Sequence, residues 1–219
     1  MSDEVQSFYT RIAPVFDLVA RYTPGVGAAR RVAAETLALT PGDTVLDVGC
    51  GTGANAPTLR EQVGASGRVV GVDLTEALLR RARTRGVDVV RGDATRLPVD
   101  GPVDGVLATF VVGMFEDPET VVSSWLDCLT EGDRLVVLEA TSSDHPFGRV
   151  ANPLFERFVR TGAPDPQGGR DEREHDAGVR SLLDERVATA ERTLRVAEGV
   201  TVEKRTRLAG FLTLLVAER

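Results

Sequence analysis

The chain has 219 residues, 42% of them hydrophobic, which fits one α/β domain with a single core. Its net charge of −7 and pI near 5.0 argue against a general nucleic-acid binder, because phosphate contacts need clustered basic residues. No basic stripe stands out, and Lys204 is the only lysine.

Two helices are predicted at the start of the chain, at about residues 3–21 and 26–39. Tyr9, Phe16 and Tyr22 recur there near helical periods. Such aromatic residues serve equally well as packing residues or as a lid over a bound cofactor.

An apolar strand then leads into a glycine turn, in the sequence VLDVGCGTGAN at residues 45–55. Gly49, Gly51 and Gly53 allow the backbone to take positive φ and to approach a ligand without a Cβ in the way. The following helix, from roughly Ala54 to Val63, directs its free N–H groups at the turn. The pattern predicts a site for a nucleotide-type cofactor.

The glycine spacing alone does not identify the cofactor. Gly49-x-Gly51-x-x-Ala54, with Asp73 ending the next strand, also satisfies the dinucleotide fingerprint of NAD enzymes. Asp47 precedes the first glycine by two residues, where a carboxylate would repel a pyrophosphate but could hold a cationic amino group. This favours a cofactor that carries a cationic amino group and no pyrophosphate over NAD.

Strands and helices alternate through the middle of the chain, which predicts a parallel sheet with helices on both faces. A helix start is predicted at Asp117, which is followed by Pro118 and the acidic Glu119. The strands are expected near residues 44–49, 68–73, 87–91, 104–110 and 133–139.

The last third of the sequence follows a different pattern. Residues 161–178 are rich in Gly, Pro and charged residues, which predicts a mobile surface loop before a helix at 179–197. The β-rich runs 200–208 and 211–217 are separated by too few residues for a helical crossover. They are therefore expected to be antiparallel.

The chain resembles the class I S-adenosylmethionine-dependent methyltransferases. Their motifs are matched by VLDVGCGTG, VVGVDL, GDATRLP and the stretch from LATF to VVLEA. The opening FYTRIAPVFD at residues 8–17 is similar to the ubiquinone/menaquinone biosynthesis C-methyltransferases and related small-molecule and phospholipid methyltransferases. Phe16 replaces a tyrosine of that pattern, and residues 141–200 depart from it. The resemblance implies a Rossmann-like, doubly wound sheet of seven strands, mostly parallel with an antiparallel last strand, in one domain.

The resemblance also implies where S-adenosyl-L-methionine would bind. Asp73 would accept hydrogen bonds from both ribose hydroxyls, and Leu74 would pack on the adenine. Asp93 and the Ala94 N–H would contact the adenine amino group and a ring nitrogen. Six further positions would surround the methionine and ribose: Asp47, Gly49, Gly51, Thr52, Gly53 and Thr109. Tyr9 would be a lid residue over the cofactor.

Each carboxylate also has a purely structural interpretation. Asp73 is placed to cap a helix beside Thr75, and Asp93 to form an Asx turn before Ala94. His145, directly after the fifth strand, is the candidate catalytic base, since a histidine is best matched to remove a phenol-like proton. The alternative for His145 is a solvated loop residue.

The resemblance predicts methyl transfer to a small-molecule or lipid-like acceptor, with a quinone-precursor carbon or a phospholipid amine among the candidates. An NAD-dependent oxidoreductase and a cofactor-binding protein without methyl transfer are the alternatives. Residues 1–40 are expected to form a helical lid and residues 141–197 an acceptor-side insertion. These two segments are expected to wall the acceptor pocket, and five phenylalanines would make that wall apolar: Phe8, Phe16, Phe147, Phe155 and Phe158.

The compartment is predicted from the cysteines and the apolar runs. Cys50 and Cys128 suggest neither a disulfide framework nor a metal site, which indicates the cytoplasm. The N-terminus lacks the apolar core of a signal peptide, and the longest apolar run, about residues 105–115, is too short to span a bilayer. Any membrane contact would then be peripheral.

Overall fold

The sheet has seven strands in the order β3-β2-β1-β4-β5-β7-β6, as a computed structural model of the chain shows. The structure describes residues 25–99, 101–146, 148, 149, 152 and 172–219, with side chains in the last range from residue 182. The strands span β1 Thr44–Val48, β2 Arg68–Asp73, β3 Asp88–Arg91, β4 Gly105–Thr109, β5 Arg134–Ala140, β6 Thr201–Arg207 and β7 Leu212–Glu218. The predicted strands are therefore confirmed to within one or two residues at each end.

Five strands are parallel, and β7 is antiparallel to both of its neighbours, β5 and β6. This is the Rossmann-like class I methyltransferase fold that the sequence predicts. The order reverses at β1, which lies between β2 and β4. In open α/β sheets ligands bind at such a reversal, beyond the carboxyl ends of the strands.

Helices cover both faces of this sheet. They are α1 Val26–Thr36, α2 Ala56–Val63, α3 Glu76–Arg83, α4 Pro118–Leu126 and α5 Glu172–Val196. One face packs against α1, α2 and α3 through residues such as Ala33, Leu59 and Leu79. The other packs against α4 and α5 through Trp125 and Leu194.

Two helix ends differ from the prediction. Helix α1 ends at Thr36 and not at residue 39, because Ala38 takes a left-handed conformation with φ 57°. Helix α2 begins at Ala56 and not at residue 54, because residues 51–55 form turns and Pro57 lies in the first helical turn. The predicted helix start at Asp117 is confirmed, since its Oδ1 accepts from the Thr120 N–H at 3.1 Å.

Helix α5 corrects the predicted loop at residues 161–178. It begins at Glu172, seven residues before the expected start at 179. The charged run after residue 170 contains Glu, Arg and Ala without proline, and such residues favour a helix as well as a solvated loop. The rest of that segment and the first predicted helix lie outside the described residues. Among the helices that are described, none has the length and apolar character that crossing a membrane needs.

Candidate active site

The glycine turn after β1 is narrow on one side and open on the other. Gly49 has φ 65°, and a Cβ there would lie 2.7 Å from Cγ2 of Val111. Gly51 has φ 55°, and a Cβ there would meet no atom within 4 Å. Gly49 therefore allows close packing against the segment after β4, while Gly51 leaves the turn accessible to a ligand.

Asp73 joins the end of β2 to this turn. Its Oδ2 accepts from the Gly51 N–H at 3.0 Å, and its Oδ1 accepts from the Thr75 N–H at 2.8 Å. Burial raises the pKa of Asp73, while these hydrogen bonds act in the opposite direction. Asp73 therefore does not cap α3, whose N-cap is Thr75 without a side-chain hydrogen bond; it forms an Asx turn just before that helix. Each carboxylate oxygen can accept a further hydrogen bond, so a role towards a ligand is compatible with it.

Asp47 lies at the centre of a polar network between β1, α2 and β4. Its Oδ1 accepts from Asn55 Nδ2 at 2.8 Å, and the same Nδ2 lies 3.1 Å from Oγ1 of Thr109. Arg30 of α1 donates from Nη1 to Asn55 Oδ1 and to Thr109 Oγ1. Its guanidinium lies 4.7 Å from the ring centroid of Phe110.

The second oxygen of Asp47 is the unusual feature of this network. Asp47 is fully buried, and its Oδ2 has no hydrogen-bond partner among the described residues. Burial raises the pKa of Asp47 to about 6, although Asn55 and Arg30 favour the charged form. A buried carboxylate oxygen without a partner is suited to a cationic ligand group.

The loop after β3 forms the other end of the site. Asp93 makes the Asx turn of the structural interpretation, since its Oδ1 accepts from the N–H and the hydroxyl of Thr95, each at 2.9 Å. Ala94 is buried, and its carbonyl accepts from Trp125 Nε1 at 2.8 Å. Trp125 of α4 thereby fixes the backbone between Asp93 and Thr95.

Most of the predicted site residues lie at this edge of the sheet. Thr52 is buried, and its hydroxyl accepts from Arg85 at 3.3 Å. Leu74 follows β2 and is partly buried. His145 is exposed, and its backbone N–H donates to the Ser143 hydroxyl at 3.1 Å. Tyr9 lies outside the described residues.

Sequence reasoning missed three residues that build the site: Arg30, Asn55 and Trp125. Asn55 ends the quoted motif, so its position after the glycine turn was an available signal. Arg30 and Trp125 sit within helices, where the sequence does not distinguish a residue that faces the strand ends from one that faces solvent. The side chains that the structure describes include no group of three or more potential metal ligands.

Residues 45–132 match the family model of a methyltransferase domain. The 2-phytyl-1,4-naphtoquinone methyltransferase of Nostoc punctiforme is 37% identical over 170 residues, which cover 72% of this chain and 70% of that protein. The chain belongs to the S-adenosylmethionine-dependent methyltransferases. The enzyme of the same name from Synechococcus elongatus is 29% identical to this methyltransferase over 229 residues, which cover 99% and 97% of the two chains.

The methyltransferase also shares its fold with the plantazolicin methyltransferase BpumL, solved in complex with SAH. The TM-score is 0.64 at 15% identity, with 99% of this chain and 96% of that chain covered. Membership of the S-adenosylmethionine-dependent methyltransferases, and not this likeness of fold, makes S-adenosylmethionine the cofactor. The NAD-dependent oxidoreductase considered from the glycine spacing gains no support from these relatives.

Proposed function

We propose that the methyltransferase methylates a ring carbon of a reduced, quinone-type small molecule. The alignment with a 2-phytyl-1,4-naphtoquinone methyltransferase over 99% of the chain carries this proposal. It extends through residues 141–200, where the sequence pattern departs from the quinone enzymes. A phospholipid amine has no comparable support among the relatives described above.

Exposed apolar side chains support an apolar acceptor. The described residues include four large hydrophobic side chains that are exposed, and three lie near the carboxyl edge of the sheet: Met114, Leu182 and Leu208. Met114 follows β4, and Leu208 lies in the turn between β6 and β7. Leu182 precedes Asp184, which accepts from the Ser142 N–H just beyond β5. Apolar surface beside a polar cofactor site suits a ring with an alkyl substituent.

The residues at the strand ends fit the cofactor. The unpartnered Oδ2 of Asp47 suits the ammonium of its methionine part, and the neighbouring Arg30 suits the carboxylate. Asp73 and Asp93 would accept from the ribose hydroxyls and the adenine amino group. Glycines and Thr109 would line the space between them. When bound, S-adenosylmethionine supplies a methyl group on a positively charged sulfur.

Alignment is the main task of the protein in this reaction. Holding two reactants in line can contribute about 7–11 kcal/mol, and exclusion of water protects the reacting groups. We assign the enclosure of the acceptor to residues 1–40 and 141–197, a large part of which lies outside the described residues. We place the enzyme in the cytoplasm, with the acceptor reached at most by peripheral membrane contact.

The test combines cofactor binding with an acceptor panel. Calorimetry is expected to show binding of S-adenosylmethionine and S-adenosylhomocysteine, and none of NAD. Incubation with a 2-alkyl-1,4-naphthohydroquinone kept reduced is expected to give a product heavier by one methyl in place of hydrogen. Phosphatidylethanolamine vesicles and the oxidised quinone, whose ring carbons are not nucleophilic, serve as controls. Methylation of the lipid amine alone would contradict the proposed acceptor.

His145 stays the candidate base, and its variant tests that role. A base would make kcat of His145→Ala fall about 10²–10⁴-fold, with loss of a pH inflection and unchanged cofactor affinity. We expect wild-type kcat instead, because the side chain is exposed and alignment alone can carry the reaction. A pH–rate profile of both proteins with the same acceptor distinguishes the two results.

A further inference from the structure

Glu139 is a buried acid near the carboxyl end of an apolar strand. It is the sixth residue of β5, is only 3% exposed, and lies in a strand otherwise made of residues such as Leu135 and Val137. A glutamate in this position is unfavourable unless its carboxylate is hydrogen-bonded. Its partners therefore show what the residue does.

Those partners are backbone groups of the segment that follows β4. Oε1 of Glu139 accepts from the Val111 N–H at 2.6 Å and from the Val112 N–H at 2.5 Å. Both donors lie at the start of the short 3₁₀ helix Val112–Met114, where N–H groups lack partners within the helix. The carboxylate thus fixes the backbone of residues 110–113, here named the β4 segment.

The β4 segment in turn forms one side of the methionine end of the cofactor site. Its Val111 packs against Gly49 so closely that a Cβ on the glycine would lie 2.7 Å away. Its Phe110 has a left-handed backbone, with φ 59°, which is unfavourable for a bulky residue unless neighbouring contacts hold it. The Phe110 ring faces the guanidinium of Arg30, whose Nη1 is bonded to Asn55 and Thr109.

A continuous set of contacts therefore runs from Glu139 to the glycine turn and to the network around Asp47. We propose that Glu139 is a positioning residue for methyl transfer, which holds the β4 segment in the conformation that shapes the methionine end of the cofactor site. Glu139 would act through the N–H groups of Val111 and Val112 and not by contact with the cofactor or the acceptor. The inference depends on the cofactor assignment and is independent of the proposed acceptor.

Two ligands separate this role from a general effect on stability. S-adenosylmethionine occupies the whole cofactor site, whereas 5′-methylthioadenosine lacks the amino-acid part and samples only the adenosine end. Calorimetry of Glu139→Ala should show S-adenosylmethionine binding weakened about tenfold or more, because two buried N–H groups lose their acceptor and the segment relaxes. Binding of 5′-methylthioadenosine should change by less than about threefold.

The conservative and control variants complete the experiment. Glu139→Gln keeps one carbonyl oxygen for both N–H groups, so it should restore a large part of the lost affinity. Thr213→Val alters the residue paired with Glu139 on β7, also buried, and should leave both affinities within about twofold of wild type.

Equal weakening of both ligands, or unchanged S-adenosylmethionine affinity in Glu139→Ala, would overturn the proposal. If the alanine variant does not fold, Glu139→Leu, which fills a similar volume without a hydrogen-bond acceptor, decides by the same ratio of affinities. Absence of S-adenosylmethionine binding in the wild type would instead contradict the cofactor assignment, and with it this inference. Lack of turnover with the naphthohydroquinone would affect only the proposed acceptor.

Discussion

Asp73→Ala is expected to weaken S-adenosylmethionine binding about ten- to a hundredfold. The carboxylate would contact the ribose hydroxyls, and loss of charge-assisted hydrogen bonds of this kind costs about 1.5–3 kcal/mol. Part of the effect comes through the turn, because Asp73 also accepts from the Gly51 N–H. Calorimetry on protein with a normal circular dichroism spectrum measures the change.

Asp88→Ala is the matched control for this variant. Asp88 begins the neighbouring strand β3, is exposed, and forms an ion pair with Arg68 at 3.5 Å. Its removal should leave cofactor affinity unchanged, since exposed pairs contribute little. Wild-type affinity in a folded Asp73→Ala protein would show that the ribose is held elsewhere.

Asp47→Asn is expected to have opposite effects on stability and on binding. Burial disfavours the charged form of Asp47 and raises its pKa to about 6. At pH 7.5 the ligand-free Asn variant should therefore be more stable, on the order of 1–3 kcal/mol, because no charge has to be buried. Binding of S-adenosylmethionine should weaken tenfold or more, because its ammonium loses the unpartnered carboxylate oxygen. Thermal unfolding and calorimetry measure the two effects.

The pH dependence gives the sign of the stability effect. An acid whose pKa rises on folding binds its proton more tightly in the native state, so its contribution to stability falls as the pH rises from its ordinary value of 3.8 to about 6. The gain from Asp47→Asn should therefore appear across that interval and stay constant above it. Burial also raises the pKa of Glu139 to about 7, but this group is common to both proteins and cancels in the difference. An Asn variant that is less stable at pH 7.5 yet binds as tightly would contradict the role of Asp47.

The architecture could be predicted from the sequence because it follows from local patterns. Alternating strands and helices imply a parallel sheet, and the short link between residues 208 and 211 implies an antiparallel pair. The start of α5 could not be placed, because the charged residues around Glu172 suit a solvated helix and a loop equally well. The end of α1 depended on the left-handed conformation of Ala38, which alanine rarely adopts.

Some residues of the site could likewise be predicted from the sequence, and others could not. Asp47, Asp73 and the glycines could be predicted because their spacing relative to a strand end fixes where they lie. Arg30 and Glu139 could not, since one lies in a helix and the other in a strand that reads as buried. Their contacts with Thr109 and Val111 join positions 79 and 28 residues apart, and only the folded sheet brings them together.

The hydrogen bond from Trp125 to the Ala94 carbonyl has a practical consequence for spectroscopy. Trp125 is the only tryptophan of the chain, so all of the indole emission comes from one fully buried ring. That ring lies edge-on to Phe115, with centroids 5.9 Å apart, and its N–H is bonded to the loop that carries Asp93. The protein thus contains an intrinsic fluorophore attached to the loop proposed to contact the adenine, and its emission wavelength follows the local environment of that loop without any added label.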